Sequence, residues 1–229
     1  MRTMDKLYTA HPELGSRRMM AILNRMGHEV NRKRIQRLMQ VMGIEAIYPK
    51  RSLSTPDKQH VVFPYLLRDM AIERVNQVWG VDITYIPLHA GFAYLVAFLD
   101  WFSRFVVSFS LSTTLDHLFC IAALKEALAI AKPDICNSDQ GAQFTALPYI
   151  DCLKEAGIRI SMDGRGRALD NVFTERLWRS VKYEEVYLKD YCVPREALGG
   201  LTRYFRYYNY ERPHQSLDYR TPAEVFYGA

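Results

Sequence analysis

Apolar positions near the start of the chain recur with the period of a helix. Met19, Ile22, Leu23 and Met26 fall at i, i+3, i+4 and i+7, with Ser16 placed as a cap and Gly27 as a stop. Ile35, Leu38, Met39 and Met42 repeat that spacing after Asn31, and Gly43 closes the second run. The pattern predicts two short amphipathic helices sharing one small core over residues 1–46. From about Ile47 to Pro64 the period disappears into prolines, serines and charges, the signature of a linker, with Phe63 to Met70 as a connector. The linker is accordingly set at 47–70 and the larger domain at 71–229.

Beyond residue 77 the period changes to that of strands. Val78–Ile86 is rich in β-branched and apolar residues, Pro87 to Gly91 reads as a turn, and Phe92–Leu99 is a continuous apolar run suited to a buried strand. Phe105–Leu111 predicts a third strand and Leu118–Ile130 a packed helix. Next come a short strand at 134–138, a helix near 149–155, a strand at 158–162 and a helix from Asn171. Three antiparallel strands followed by alternating helix and strand predict an α/β domain: a ribonuclease H-like mixed sheet flanked by helices, preceded by a small all-α helix-turn-helix domain.

Composition narrows the class. The chain has 229 residues, 49% hydrophobic and 24% charged, with no apolar run long enough to span a membrane. The first residues lack the apolar core of a signal peptide, so a cytoplasmic protein is expected. Cys120, Cys136, Cys152 and Cys192 contain no close pair, and four reduced thiols are the expectation. Charge is uneven: residues 1–60 hold 12 Lys/Arg against 5 Asp/Glu, whereas the rest holds 18 against 20. The second predicted helix presents Arg32, Lys33, Arg34 and Arg37 on its outer side, as a helix lying in a DNA groove requires, and Arg17 and Arg18 add to that surface. A plain helical hairpin is the alternative.

Three acids carry the candidate chemistry: Asp82 within the first strand, Asp139 just after the fourth, and Glu175 in the opening turns of the helix after Asn171. Aspartate is disfavoured in strands, so Asp82 between Val81 and Ile83 calls for a function. Asp139 in Ser-Asp-Gln-Gly could equally be a turn residue, and Glu175 a favourable charge near a helix N-terminus. A first strand at the sheet centre with the fourth beside it would bring the aspartates together, with the helix laying Glu175 above them. Three such carboxylates suit hard divalent cations and hence phosphodiester chemistry. Arg179 and Lys182 share the helix face of Glu175, and Gly164-Arg165-Gly166-Arg167 reads as a basic loop able to approach a phosphate. Aromatics and cations interleave from Tyr204 to His214, read as a final helix packing on the sheet in preference to a DNA contact. Thr221-Pro222-Ala223-Glu224 reads as a capped helix start.

These residues carry a family resemblance. Trp79 to Tyr85, Asn137 to Phe144, Ile160 to Gly164, Asp170-Asn171, Glu175-Arg176-Leu177-Trp178-Arg179-Ser180, Lys182-Tyr183-Glu184 and Tyr208-Asn209 with Arg212-Pro213-His214 stand in the order of a known pattern. Gly15 to Met19 and Val30 to Arg34 extend it to the N-terminus. The chain resembles the transposase (OrfB product) of the insertion sequence three family, within the DDE transposase and retroviral integrase superfamily. The resemblance implies that Asp82, Asp139 and Glu175 form the catalytic and metal-binding triad, 35 residues separating the last two. It also implies that Lys182 matches a basic residue seven positions past the glutamate. It implies two Mg²⁺ ions about 3.5–4 Å apart, with Mn²⁺ as a substitute. The implied partners are element-end and target DNA, further copies of the chain on that DNA, and the product of an upstream reading frame (OrfA), all in the bacterial cytoplasm at the nucleoid. Family members commonly carry residues ahead of the segment matching Asp5-Lys6-Leu7-Tyr8, so a shortened product is expected, and a glycine before Lys132-Pro133 is missing. A truncated, non-catalytic DNA-binding or regulatory remnant is the rival reading, and a nuclease that cuts without joining is another.

Overall fold

The computed structural model describes residues 1–47, 61–164 and 171–228, and the chain divides into two compact units, Met1–Pro56 and Asp57–Ala229. In the first unit, α1 (Arg2–Ala10), α2 (Ser16–Arg25) and α3 (Arg32–Val41) enclose a small core of Met4, Leu14, Met19, Leu23, Ile35 and Met39. Asn31 caps α3 as expected, its side chain accepting the Arg34 N–H at 2.9 Å. Gly27 and Gly43 end α2 and α3 with φ of +86° and +63°, angles that a side chain would resist. Two details differ from expectation. Gly15, not Ser16, is the N-cap of α2, and Met26 is exposed because the chain has already left the helix there. α1 is an added element; its Met4, Leu7 and Tyr8 follow the helical period and pack on the same core. The linker residues 48–60 lie outside the described residues.

The second unit is a mixed five-stranded sheet, β1 (Val78–Leu88), β2 (Gly91–Asp100), β3 (Val106–Ser112), β4 (Ile135–Ser138) and β5 (Arg159–Met162), in the order β3-β2-β1-β4-β5. β1, β2 and β3 pair antiparallel, and β1 pairs with β4 and β4 with β5 in parallel. Helices α4 (Leu118–Ile130), α5 (Leu147–Glu155), α6 (Val172–Glu184), α7 (Pro194–Tyr210) and α8 (Pro222–Tyr227) complete it. Alternation along β1 sorts its side chains onto two faces. Trp79 and Val81 join Phe98, Leu124, Ile150 and Leu153 on one. Val78 and Ile86 join Leu177, Trp178, Val181, Leu201 and Phe205 on the other. With both faces covered, the central strands are largely apolar, which is why they read as near-continuous runs.

β1 continues through Pro87 to Leu88, two residues past the expected strand end and into the expected turn. The β1–β4 pairs end at Gly80, so the distal half of β1 has β2 as its neighbour and tolerates a residue without an N–H. Residues 63–70 lie against this unit: Leu67 is buried, and the Leu66 N–H donates to Ser161 Oγ at 3.0 Å.

The C-terminal aromatics pack as expected. Tyr204, Phe205 and Tyr208 of α7 are buried, and Asn209 exchanges two hydrogen bonds of 2.9 Å with the backbone of Val106. Arg212 grips Glu184 at the end of α6 with two hydrogen bonds, 2.8 and 2.6 Å. His214 is buried edge-on against Tyr208, not displayed to a ligand. Thr221 and Glu224 form a capping box at α8. Burial first, then the Arg212 charge, pushes the His214 imidazole down to about 4. Because the folded chain holds His214 neutral, the unfolded chain binds more protons below its ordinary value of 6.5. Stability is therefore expected to fall as pH drops from about 6.5 towards 4. His214→Gln should flatten that decline in thermal melts, with Arg212, Glu184 and Arg104 as the charges that face the ring; an unchanged slope would show that other groups dominate.

The four cysteines are free, and among the described residues no helix is long and apolar enough to cross a membrane.

Candidate active site

Asp82 sits on the central strand, on the face that α6 covers, opposite Ala97 of β2. Beside it in register, Gly80 pairs with Asn137 of β4, and β4 ends one residue before Asp139. The topology thus carries both aspartates to the same end of the β1–β4 paired stretch, on neighbouring strands as the element order predicted. α6 brings the third acid, with Glu175 in its first turn.

Two features hold α6 down on β1. The Trp178 indole N–H, one helical turn past Glu175, donates to Asp82 Oδ2 at 2.9 Å, while the Ile83 N–H donates to Oδ1 at 2.7 Å. At Gly80 the approach is closer still: a Cβ there would lie 2.2 Å from Trp101 Nε1 and 2.6 Å from Thr174 Oγ1. Thr174 immediately precedes Glu175, so the absence of a side chain at position 80 sets how near Glu175 comes to the sheet. Neither Gly80 nor Trp178 stood out as a positioning residue in the sequence. Glycine in the middle of an apolar strand is the signal that could have revealed the first.

The Asp139 turn is fastened in its own way. Asp139 Oδ1 accepts the Gly141 N–H at 2.9 Å, and a side chain at 141 would lie 2.8 Å from that oxygen. Asp139 therefore does build a turn, and that role fixes its carboxylate. Beneath it, Asn137 Nδ2 donates to Asp163 Oδ1 at 2.7 Å and Gln140 Nε2 to the Asp163 carbonyl at 2.9 Å, joining the turn to the end of β5.

Electrostatics link the three acids. Asp82 is half-buried and its carboxyl is pushed up to about 6. Burial is the main cause, the Trp178 and Ile83 N–H groups oppose it, and the charges of Asp139 and Glu175 add repulsion. Asp139 and Glu175 are exposed. Among the described residues no three His, Cys, Asp or Glu side chains converge closely enough to grip one ion together. The donor set nonetheless suits a hard divalent cation, being carboxylate oxygen alone, and a cation would offset the cost of ionising Asp82.

Of the expected basic residues, Arg179 and Lys182 share the Glu175 face of α6, Arg179 exposed and Lys182 partly so. Arg165 and Arg167 lie outside the described residues. Arg32, Lys33, Arg34 and Arg37 are exposed on α3, and Arg17, Arg18 and Arg32 line a shallow pocket of the N-terminal unit with Glu13 and Ser16.

Comparison with known proteins matches residues 1–52 to an HTH-like domain, and residues 72–168 and 156–222 to two integrase core domain models. The transposase for insertion sequence element IS904 of Lactococcus lactis is 30% identical over 92% of this chain and 86% of its own length. The putative transposase InsK for IS150 of Escherichia coli is 33% identical over 92% of this chain and 76% of its own. In fold, the chain is similar to the HTLV-2 integrase catalytic core domain in complex with magnesium, with a TM-score of 0.51 at 17% identity, covering 68% of this chain and 98% of that one. A chain of the simian T-cell lymphotropic virus intasome in complex with the PP2A regulatory subunit B56 gamma gives a TM-score of 0.59 at 16% identity, covering 97% and 74%.

Proposed function

Because this chain belongs to the insertion-sequence transposases with an integrase core domain, we propose that it cuts and joins DNA strands at a site formed by Asp82, Asp139 and Glu175. The observation that carries this reading is the Trp178–Asp82 hydrogen bond, which ties the helix bearing Glu175 to the strand bearing Asp82, with Asp139 close enough for its charge to act on Asp82.

The three carboxylates would hold two Mg²⁺ ions, with Mn²⁺ able to substitute, which supply Lewis acidity and charge neutralisation for in-line displacement at phosphorus. The protein's part is to position and to exclude alternatives. Gly80 and Trp178 keep Glu175 and Asp82 in fixed relation, and the Gly141 N–H orients Asp139. Arg179 and Lys182 contact backbone phosphates and hold the scissile bond over the acids. A water oxygen bonds to phosphorus as the strand's P–O bond breaks, and the departing oxygen takes up a proton. The freed 3′-hydroxyl then makes the same attack on a target phosphodiester, with no covalent protein intermediate. Ser138 and Ser161 are buried and Ser180 nearly so, which agrees with leaving serine out of the chemistry.

In this reading the basic side of α3 lies along a DNA groove, with Arg32, Lys33, Arg34, Arg37, Arg17 and Arg18 meeting phosphates. Several copies assemble on the element ends, an upstream-frame product supplies additional end recognition, and the work is done in the cytoplasm at the nucleoid.

Labelled element ends incubated with Mg²⁺ and either the wild type or Asp139→Asn test the proposal. Joined products with the wild type and none with the variant are expected. Cleavage without joining would identify a nuclease instead, and DNA binding indifferent to metal and to the variant, with no cleavage, would identify a regulatory remnant.

A further inference from the structure

The stripe of α6 that begins at Glu175 does not end at Lys182. Glu175, Arg179, Lys182 and Tyr183 stand at i, i+4, i+7 and i+8, on one face, while Thr174, Leu177, Trp178 and Val181 are buried on the other. Tyr183 is 65% exposed, and Tyr187, in the 3-10 turn Val186–Leu188 that follows α6, is 59% exposed. Their rings meet edge to face at 5.3 Å, and the Arg179 guanidinium lies 5.8 Å from the Tyr183 ring centre. Leu188 beside them is 70% exposed. Large apolar side chains held in solvent next to one another, not scattered singly, mark an interaction surface.

The neighbouring acids are turned away from this patch. Glu184 is held by Arg212 and Tyr204, and Glu185 accepts from Tyr191. Arg179 is thus left beside the exposed Tyr183 ring, with Lys182 on the same side of α6. Cations with aromatic faces suit an unpaired nucleobase and its phosphates: the ring stacks on the base while the cations meet the backbone. Eight residues of helix separate Tyr183 from Glu175, about 12 Å at the α-helical rise. That is roughly three to four base steps along a strand.

We infer that Tyr183 and Tyr187 form a stacking platform for a base splayed out of the duplex near the cleaved end, with Arg179 and Lys182 holding the flanking phosphates. The inference rests on the assignment of the acids as the DNA-cutting site. It adds to that assignment a separate place for an unpaired base, and with it a preference for frayed or single-stranded DNA ends. Tyr183 lies on the same helix as Glu175 and Tyr187 in the turn that directly follows it, so capturing the base also fixes the strand's register against the acids.

The test is binding, without divalent metal, of two short duplexes carrying the element-end sequence, one blunt and one with a two-nucleotide unpaired tail. The wild type is expected to prefer the tailed duplex about tenfold, which is about 1.4 kcal/mol, a contribution within reach of one base stacking on an aromatic side chain. Tyr183→Ala should abolish the preference and Tyr183→Phe should retain it, because stacking needs the ring and not the hydroxyl. Lys182→Ala should weaken both duplexes alike and lower the salt dependence. No tail preference in the wild type, a preference untouched by Tyr183→Ala, or equal loss in the Phe variant would each overturn the inference. Thermal melts confirm that these surface variants fold. Because the assay needs neither metal nor the acids, a platform that works in a chain unable to cleave would refute the catalytic reading alone.

Discussion

Asp82→Asn is expected to lower strand cleavage and joining by about a thousandfold or more while leaving DNA affinity within a few fold. The substitution keeps the shape of the side chain and one of its two acceptors: Oδ1 of the asparagine can still accept the Trp178 indole N–H, which in the wild type reaches Asp82 Oδ2 at 2.9 Å, while the amide nitrogen then faces the Ile83 N–H. What it removes is the charge that faces Asp139 and Glu175, together with one acceptor. Metal ions supply several kcal/mol of transition-state stabilisation in phosphoryl transfer, and about 4 kcal/mol corresponds to a thousandfold. Glu175→Gln should behave in the same way. A second, independent readout comes from stability. The Asp82 carboxyl is pushed up to about 6, so near neutral pH its ionised form is a burden on the folded, metal-free protein. Relief of that burden offsets the acceptor lost to the Ile83 N–H, so Asp82→Asn should melt close to the wild-type temperature without divalent ions, and it should lose most of the stabilisation that added Mg²⁺ confers. Single-turnover cleavage within tenfold of wild type would remove Asp82 from the chemistry.

Gly80→Ala should be nearly as damaging to activity and, unlike Asp82→Asn, should also weaken the fold. The new Cβ would lie 2.2 Å from Trp101 Nε1 and 2.6 Å from Thr174 Oγ1. Both neighbours are buried, and Trp101 is a rigid ring, so the strain is relieved mainly by lifting α6 from β1. Overpacking of this kind costs typically about 1–3 kcal/mol. The lift also draws Trp178 from Asp82 and moves Glu175, so cleavage should fall about a hundredfold or more, as misplacement by about 1 Å does elsewhere. Thr174→Ala added to Gly80→Ala deletes one of the three atoms that a Cβ would meet within 3 Å and should restore part of both losses. Melting and single-turnover rates of the three variants decide the matter. A Gly80→Ala protein that melts and cleaves like the wild type would show that the approach of α6 is not what positions Glu175.

The two variants mark where sequence reasoning was sufficient and where it was not. Asp82 was conspicuous because a charged residue interrupts an apolar strand. Asp139 and Glu175 had ordinary explanations, a turn and a helix start, and both explanations are true of the structure: Asp139 does bind the Gly141 N–H and Glu175 does stand in the first turn of α6. Local pattern cannot separate a residue that builds a turn from one that also faces a distant strand. α1 and the extension of β1 through Pro87 were missed for related reasons. The helical period at Met4, Leu7 and Tyr8 is too short to stand out alone, and a proline in a strand is tolerated only where neighbouring strands leave room.

By itself the sequence determined the helical and extended periods, the glycine stops of α2 and α3, the basic face of α3, and the candidate acids with their chemical type. Each depends on a residue's own conformational preference or on neighbours within a turn or two. Only the tertiary structure decided that β1 is central with β4 beside it, that α6 presses on Gly80, that Trp178 binds Asp82, and that His214 is buried. The strand pairing and the contacts of α6 join residues far apart in the chain, from 57 positions between Val78 and Ile135 to 96 between Asp82 and Trp178. Such contacts are selected by the packing of two apolar sheet faces against helices, a property of the assembled surfaces that no single segment carries.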